Sequence, residues 1–487
     1  MKNKDYCLDR FLKLFDKKEV MKFKFRDGLH LYPLVRYKII YYLFLNKYNL
    51  QRECFIKHTT LTQSFIKHTT LTQKINYLFQ TILRNPFFSK GQYDIVMIGP
   101  TLSNTIIKDG KFFNRIYDYF NLLLPSRTIM LEESYIWNYY YPRYFNNIYY
   151  HDFLKAVSYV GSKVLHSYDI SVINKFISFL QSQGESLEEH LLDELRTDLI
   201  FYLSYAKIYT KLHEKLFKKW KPKVIFIDDA SYGSINSAII KCAKEMGIKV
   251  GEFQHGIVTK AHLAYHYGDE IKNSVEYSFY TPDYFLTYGD YWNKQVYGPF
   301  KTITIGNPHF WEHFSAQRYK KRKINKKTIL IVSQGTVTDM MVTLTKKLSK
   351  LLGNKYIIIF RLHPRETFKD INKKLYKHKN IKINKKGDIY KLIARSDFVV
   401  GVYSTTIFEA YCFGKPVFVL DCPISRAYIP KEIGIWFKTP EELAEKILNY
   451  IYSTSNNILH NINYFFDSQW KKNYLNFIHK IIIDGKI

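Results

Sequence analysis

The sequence predicts two doubly wound α/β domains preceded by a helical region, and three observations carry that expectation. At 487 residues the chain exceeds one ordinary domain. Val224–Ile227 reads as a strand, Asp228–Gly233 as a polar loop, Ser234–Met246 as a helix and Lys249–Phe253 as a second strand. Such a crossover needs parallel strands. The same cycle then restarts beyond a basic stretch, Arg318–Lys327.

Residues 1–90 read as basic, aromatic-rich helices. Phe11, Leu12, Leu14 and Phe15 make one apolar cluster, and Leu31–Tyr48 supplies another. Packing on the main body and docking on a membrane surface are both open for them. FIKHTTLTQ occurs at Phe55–Gln63 and again at Phe65–Gln73, around Ser64. One duplication is too short for a solenoid, and its His58 and His68 are not expected to be ligands.

Residues 91–317 form the first α/β domain. Asp94–Gly99 and Thr128–Leu131 read as strands, 151–220 as a helical insertion closed by Pro222, and Tyr284–Thr287 and Thr302–Ile305 as further strands. After the linker, 318–327, comes the second domain, 328–487. Its strands are Thr328–Ser333, Tyr356–Leu362, Phe398–Val402 and Val417–Leu420. Its helices are Val342–Leu352, Ile389–Ala394 and Thr405–Phe413, with more from Pro440 onward.

The formal charge is +30, from 73 Lys and Arg against 43 Asp and Glu. Such a field attracts phosphorylated ligands, nucleic acid or an anionic membrane, and the excess also follows from a Lys-, Asn-, Ile- and Tyr-rich composition. Nucleic acid is not expected, because zinc-finger spacing, an RNP signature and a basic zipper are lacking and the lysines run along the whole chain. Five widely spaced cysteines without C-x-x-C fit a reducing cytosol. No apolar run approaches the ~18–20 residues of a membrane span, and Met1–Arg10 is charged, so a cytoplasmic protein is expected.

Three segments hold candidate chemistry, each after a strand's carboxyl end, where open α/β sheets bind ligands. Ser404 is a good N-cap for the helix opened by Thr405 and Thr406, and that positive helix end suits a phosphate. Arg361, His363 and Arg365 bring cations that neutralise a diphosphate or leaving group. In Gln254-His255-Gly256, His255 is a candidate general base or hydrogen-bond donor to a phosphate oxygen, and Gly256 allows a sharp turn or close ligand approach. His262, Tyr265, His266 and Tyr267 are further cleft candidates. Asp228 and Asp229 are candidates to orient or deprotonate an acceptor hydroxyl, or to cap the following helix. A metal site is not expected from these spacings.

Together the paired α/β halves, Q-H-G, R-L-H-P and S-T-T-I-F-E-A…G-K-P resemble GT-B glycosyltransferases. The resemblance spans roughly 224–422. It points to bacterial enzymes of capsule, O-antigen and teichoic-acid assembly, including CDP-glycerol glycerophosphotransferases and CMP-sugar transferases. It implies that His255 is catalytic or contacts phosphate, that His363 and Ser404–Thr406 hold the donor phosphates, and that Glu409 reaches the ribose. Gly306-Asn307-Pro308 is similar to the family's Gly-x-Pro segment near the domain junction. Val402-Tyr403-Ser404-Thr405 departs from the glycerophosphotransferases' Asp-Tyr-Ser-Ser and favours a sugar nucleotide. The expectation is metal- and cofactor-independent glycosyl transfer to a lipid-linked or growing surface glycan, by a peripheral protein at the inner membrane face. The alternatives are a nucleotide-sugar epimerase of the same shape and a non-catalytic glycan- or nucleic-acid-binding protein.

Overall fold

The computed structural model describes residues 5–47, 70–104, 106–135, 137–183, 187–317, 326–363, 366, 368–451 and 462–484. The first FIKHTTLTQ copy, His58, His68, most of the linker and Arg365 lie outside them.

In the first domain β1 is Ile95–Pro100, β2 Ile106–Lys108, β3 Lys111–Phe113, β4 Thr128–Glu133 and β5 Ile148–Tyr150. β6 is Val224–Ile227, β7 Lys249–Phe253, β8 Tyr284–Thr287 and β9 Lys301–Thr304. β2 and β3 form an antiparallel hairpin, and the other seven make one parallel sheet in the order β5-β4-β1-β6-β7-β8-β9. The second domain has β10 (Lys327–Val332), β11 (Tyr356–Arg361), β12 (Ile381–Asn384), β13 (Phe398–Gly401), β14 (Val417–Leu420) and β15 (Ile435–Phe437). These form a second parallel sheet, β12-β11-β10-β13-β14-β15. The protein is thus an α/β molecule with two Rossmann-like parallel sheets. The strand order of each sheet reverses once, at β1/β6 and at β10/β13, and ligand crevices form at such switch points.

Most central strands are legible because both their faces are covered, so they read as apolar runs; β7, with Glu252 buried inside it, is the exception. β5, β12 and β15 are short, and the sequence reading passes over them. β12 and β15 are edge strands with few fully buried positions, so their sequences IKIN and IWF show no such run.

Both early apolar clusters pack on the main body. Phe15, Leu31 and Ile39 are fully buried and share a core with Ile225 and Ile239. The 151–220 insertion forms helices Asp152–Val160, Ser167–Gln181 and Glu189–Trp220, the last ended by Lys221 at φ +56°.

One domain assignment is corrected. Helix Trp470–His479 falls in the second domain by sequence, yet Tyr474, Phe477 and Ile478 pack under the first sheet against Val224, Phe226 and Tyr284. Its apolar face matches the far domain's open side, a long-range fit that no local pattern encodes. The returning chain presses on Gly306, at φ +101°, where a Cβ would stand 2.5 Å from the Asp467 carbonyl oxygen. Only glycine fits that crossing.

Candidate active site

A cavity of about 70 Å³ opens between the two sheets, at the carboxyl ends of their strands. From the first domain it is lined by Arg115, Gln254, His255, Asn307 and His309, and from the second by Tyr390, Thr405 and Glu409. The Gln254–Gly256 loop and the Ser404–Thr406 helix start therefore face one crevice.

His255 stands two residues past the end of β7. Its Nε2 lies 3.1 Å from Asp229 Oδ1, while its buried Nδ1 meets no hydrogen-bond partner among the described residues. Burial works against the imidazolium, but Asp229, Asp228 and Glu252 outweigh it and raise the His255 pKa above the ordinary value. Asp228 follows β6 and accepts from Tyr117 Oη at 2.9 Å. Burial first, and the Asp229 charge second, push its carboxyl up to about 7. That value suits a general base at neutral pH. Asp229 sits at φ +54° and Ser234 at φ +60°, so strained backbone brackets this loop.

Behind them Glu252 is fully buried and accepts from Ser231 N at 2.9 Å and Tyr265 Oη at 2.7 Å. Burial pushes its carboxyl up to about 7 as well. His262 faces Tyr232 Oη at 3.3 Å, and burial, with His255 nearby, pushes it down to about 3.

Tyr265 and Tyr267 are 1 % exposed and brace the loop from inside, which corrects the expectation that they line the cleft. Gln254 spans the loop, giving its Nε2 to the Gly256 carbonyl at 2.9 Å and accepting from Tyr288 N at 2.9 Å. Gly256 is not at positive φ, and a Cβ there would meet open space, so the turn does not depend on glycine.

An N-terminal clamp holds the far end of this segment. Asp16 and Arg36 are buried at 2 % exposure each, with Arg36 Nη2 2.7 Å from Asp16 Oδ2. Arg36 also donates to the carbonyls of Leu263 (3.1 Å) and His266 (2.7 Å), and Asp16 accepts from Gly268 N at 2.8 Å.

In the second domain Ser404 Oγ accepts from Thr406 N at 3.2 Å, so the cap consumes that N–H and Thr406 itself is buried. Thr405 is the member of the run that lines the cavity. Glu409, one turn on, accepts from Tyr390 Oη at 2.9 Å, and burial raises its pKa. Asn307 Oδ1 caps helix Pro308–Gln317 through Phe310 N at 3.0 Å.

The third expected segment is placed elsewhere. Arg361 donates to Asn384 Oδ1 and to the Gly387 carbonyl (2.9 Å), and neither Arg361 nor His363 lines the cavity. Buried Glu366 gathers this loop, accepting from His363 N and Ser333 Oγ at 2.6 Å each.

Sequence reasoning missed Arg115 and His309. Arg115 follows the β2–β3 hairpin, and its backbone is set by Ser103 O at 3.1 Å. It stands in a local frame where Arg143 ties Glu132 (2.6 Å) to Asp118 (3.0 Å). Nothing in F-N-R-I-Y signals a site, since the arginine reaches the cavity only through this fold. His309 stands one turn from His313 in H-F-W-E-H, a spacing that was open to reading. His309, Glu312 and His313 offer ligand atoms within 4.8 Å of one another, as do Asp229, Glu252 and His255. Glu312 is already held by Lys108 at 2.7 Å and by the Tyr119 hydroxyl.

The Asp228 shift makes a testable prediction. A carboxyl whose folded pKa is raised keeps its proton to higher pH in the folded state, so stability falls as pH climbs from about 4 to about 7. Asp228→Asn is expected to melt above the parent protein at pH ~8, with the gap closing toward pH ~4. Thermal unfolding across that range checks it, and a pH-independent gap contradicts it.

Residues 332–465 match the family model of CDP-Glycerol:Poly(glycerophosphate) glycerophosphotransferase. That match lies within the second domain and covers less than a third of the chain. The fold also has likenesses among solved structures. The glycotransferase of kitacinnamycin is 10 % identical, with 81 % of this chain and 100 % of that one covered, at a TM-score of 0.47. UDP-GlcNAc 2-epimerase from Neisseria meningitidis bound to UDP-GlcNAc is 11 % identical, covering 79 % and 99 %, at 0.46. S. aureus MnaA with UDP is 12 % identical, covering 81 % and 99 %, at 0.46. No curated protein matches the chain.

Proposed function

We propose that the protein is a GT-B-type transferase that moves a sugar from a nucleotide-activated donor to a lipid-linked or growing surface glycan. One observation carries this reading: His255, Arg115 and the Thr405 helix end, from two domains, meet at a single crevice. Arg115, protonated His255 and the helix N-terminus are cationic or positively polarised, and together they stabilise the nucleotide phosphate as it leaves. Asp228 takes the acceptor hydroxyl's proton as its oxygen bonds to the transferred group. In this reading Tyr390 and Glu409, which line the same cavity, hold a ribose hydroxyl of the donor.

The domains, in this reading, close on the donor around the cavity between the two sheets. Closure excludes water and protects the donor from hydrolysis. In this reading the protein works at the inner membrane face, to which its charge of +30 draws it. No helix among the described residues is long and apolar enough to cross a membrane.

The family match over 332–465 favours a second donor class, CDP-glycerol, in which glycerol phosphate is transferred. Thermal stabilisation by CMP-, UDP-, GDP- and CDP-linked donors separates the two. One donor is expected to raise the melting temperature, by about 2.7 kcal/mol of stability at a hundred times its Kd. Arg115→Ala is expected to weaken that donor's binding about tenfold or more, as loss of a charged phosphate contact should. If no nucleotide shifts the melting temperature and nucleic acid does, the transferase reading fails.

A further inference from the structure

Helix Leu71–Leu83 is built the wrong way round for a helix on a protein surface. Thr70 and Gln73 close a reciprocal capping box that starts it, and Tyr77 and Thr81 are its buried residues. Tyr77 anchors the helix: its ring meets Trp137 and Tyr139 at 4.9 and 5.5 Å, and its hydroxyl donates to Asp152 at 3.0 Å. The opposite face carries Leu71, Ile75, Leu78, Phe79, Ile82 and Leu83, all between 54 % and 73 % exposed. Their spacing of three and four residues puts them on one stripe. A stable helix that hides tyrosine and threonine while showing six large apolar side chains has a partner.

The charge around the stripe selects that partner. From Thr70 to Tyr93 the chain holds Lys74, Arg84 and Lys90 and no acidic residue. Trp137 and Tyr141, 38 % and 52 % exposed, flank the helix, Trp137 against Tyr77 and Tyr141 under the Arg84 guanidinium at 5.7 Å. Apolar stripe, basic flank and half-exposed aromatic rim are what an interfacial helix presents to anionic lipid. The anchor also fixes where the face lies. Ser134, directly after β4, and Tyr77 both bond to Asp152, so the helix stands by the carboxyl end of β4, at the edge of the sheet that opens on the cleft.

We propose that this face docks on an anionic lipid bilayer, setting the crevice beside the membrane surface so that an acceptor on a lipid anchor reaches it. The purpose given to the contact rests on the transferase reading, and the contact itself does not. The test is flotation of the full chain with vesicles of phosphatidylcholine alone or with added phosphatidylglycerol, alongside the double variant Leu78→Ser/Phe79→Ser. Both side chains are more than half exposed, so the variant is expected to fold, with an unchanged melting temperature and donor-induced shift as controls. The parent is expected to bind the anionic vesicles, and the variant to bind at least tenfold more weakly. A second variant, Lys74→Glu/Lys90→Glu, is expected to lose the phosphatidylglycerol dependence and keep the weaker binding to phosphatidylcholine.

Equal vesicle binding by parent and Leu78→Ser/Phe79→Ser overturns the proposal. So does a parent that ignores vesicles and forms a dimer in light scattering which the variant breaks, because the face is then covered by a second copy. A donor-induced melting shift without vesicle binding defeats the docking and leaves the transferase. Vesicle binding without any donor shift does the reverse.

Discussion

His255→Ala is expected to lower kcat/KM by about 10²- to 10⁴-fold, the range for removing a proton-transferring or charge-stabilising group. The ring is held by Asp229 through Nε2, and its unpaired Nδ1 is the atom left for substrate. Its acidic neighbours keep it protonated to higher pH than an ordinary histidine. Activity that depends on the imidazolium therefore falls as pH rises through that raised pKa. His255→Gln, which keeps a donor without titrating, is expected to recover part of the loss and to flatten the alkaline limb. Nucleotide release from the donor that stabilises the protein is the measurement. An unchanged rate in His255→Ala removes this residue from the chemistry. The Asp228 carboxyl, at about 7, supplies the opposite, acidic limb.

Arg36→Ala is expected to destabilise the protein by about 3–5 kcal/mol, because it leaves Asp16 buried without its cation. Little of the pair is accessible to screening, at 2 % and 0 % side-chain exposure. The same change frees the carbonyls of Leu263 and His266, which close the segment that carries His255, His262 and Tyr265. A fall in kcat/KM at temperatures where the variant remains folded is therefore expected too. Replacing both partners with apolar residues, Arg36→Met/Asp16→Leu, is expected to cost less than Arg36→Ala, since no buried charge is stranded. Urea unfolding of the three proteins decides it, and a loss below about 1 kcal/mol in Arg36→Ala contradicts a buried clamp.

Where a segment's role follows from its own neighbours in the chain, it was legible. Val224–Ile227, Lys249–Phe253, Tyr284–Thr287 and Val417–Leu420 are strands with the boundaries that their apolar runs, or for Lys249–Phe253 the strand-helix-strand pattern, predict. Ser404 caps its helix as its residue type suggests, and His255 stands just past a strand end. Hydrogen bonds and burial within a few residues decide such features, and period and residue type record them. By contrast Arg361 ends β11 at the same carboxyl side of its sheet, yet its guanidinium turns to Asn384 and Gly387. A loop's position after a strand does not say which neighbouring strand competes for its side chain.

By itself the sequence determined the two α/β repeats, the strand ends that carry Asp228, His255 and Thr405, and the strongly basic balance. Only the tertiary structure decided that Arg115 and His309 join them, that Trp470–His479 crosses back beneath the first sheet, and that Leu71–Leu83 turns its apolar stripe outward. Periodicity says that a helix has an apolar side. Which surface covers that side is set by contacts between residues hundreds of positions apart, and those contacts exist only in the folded chain.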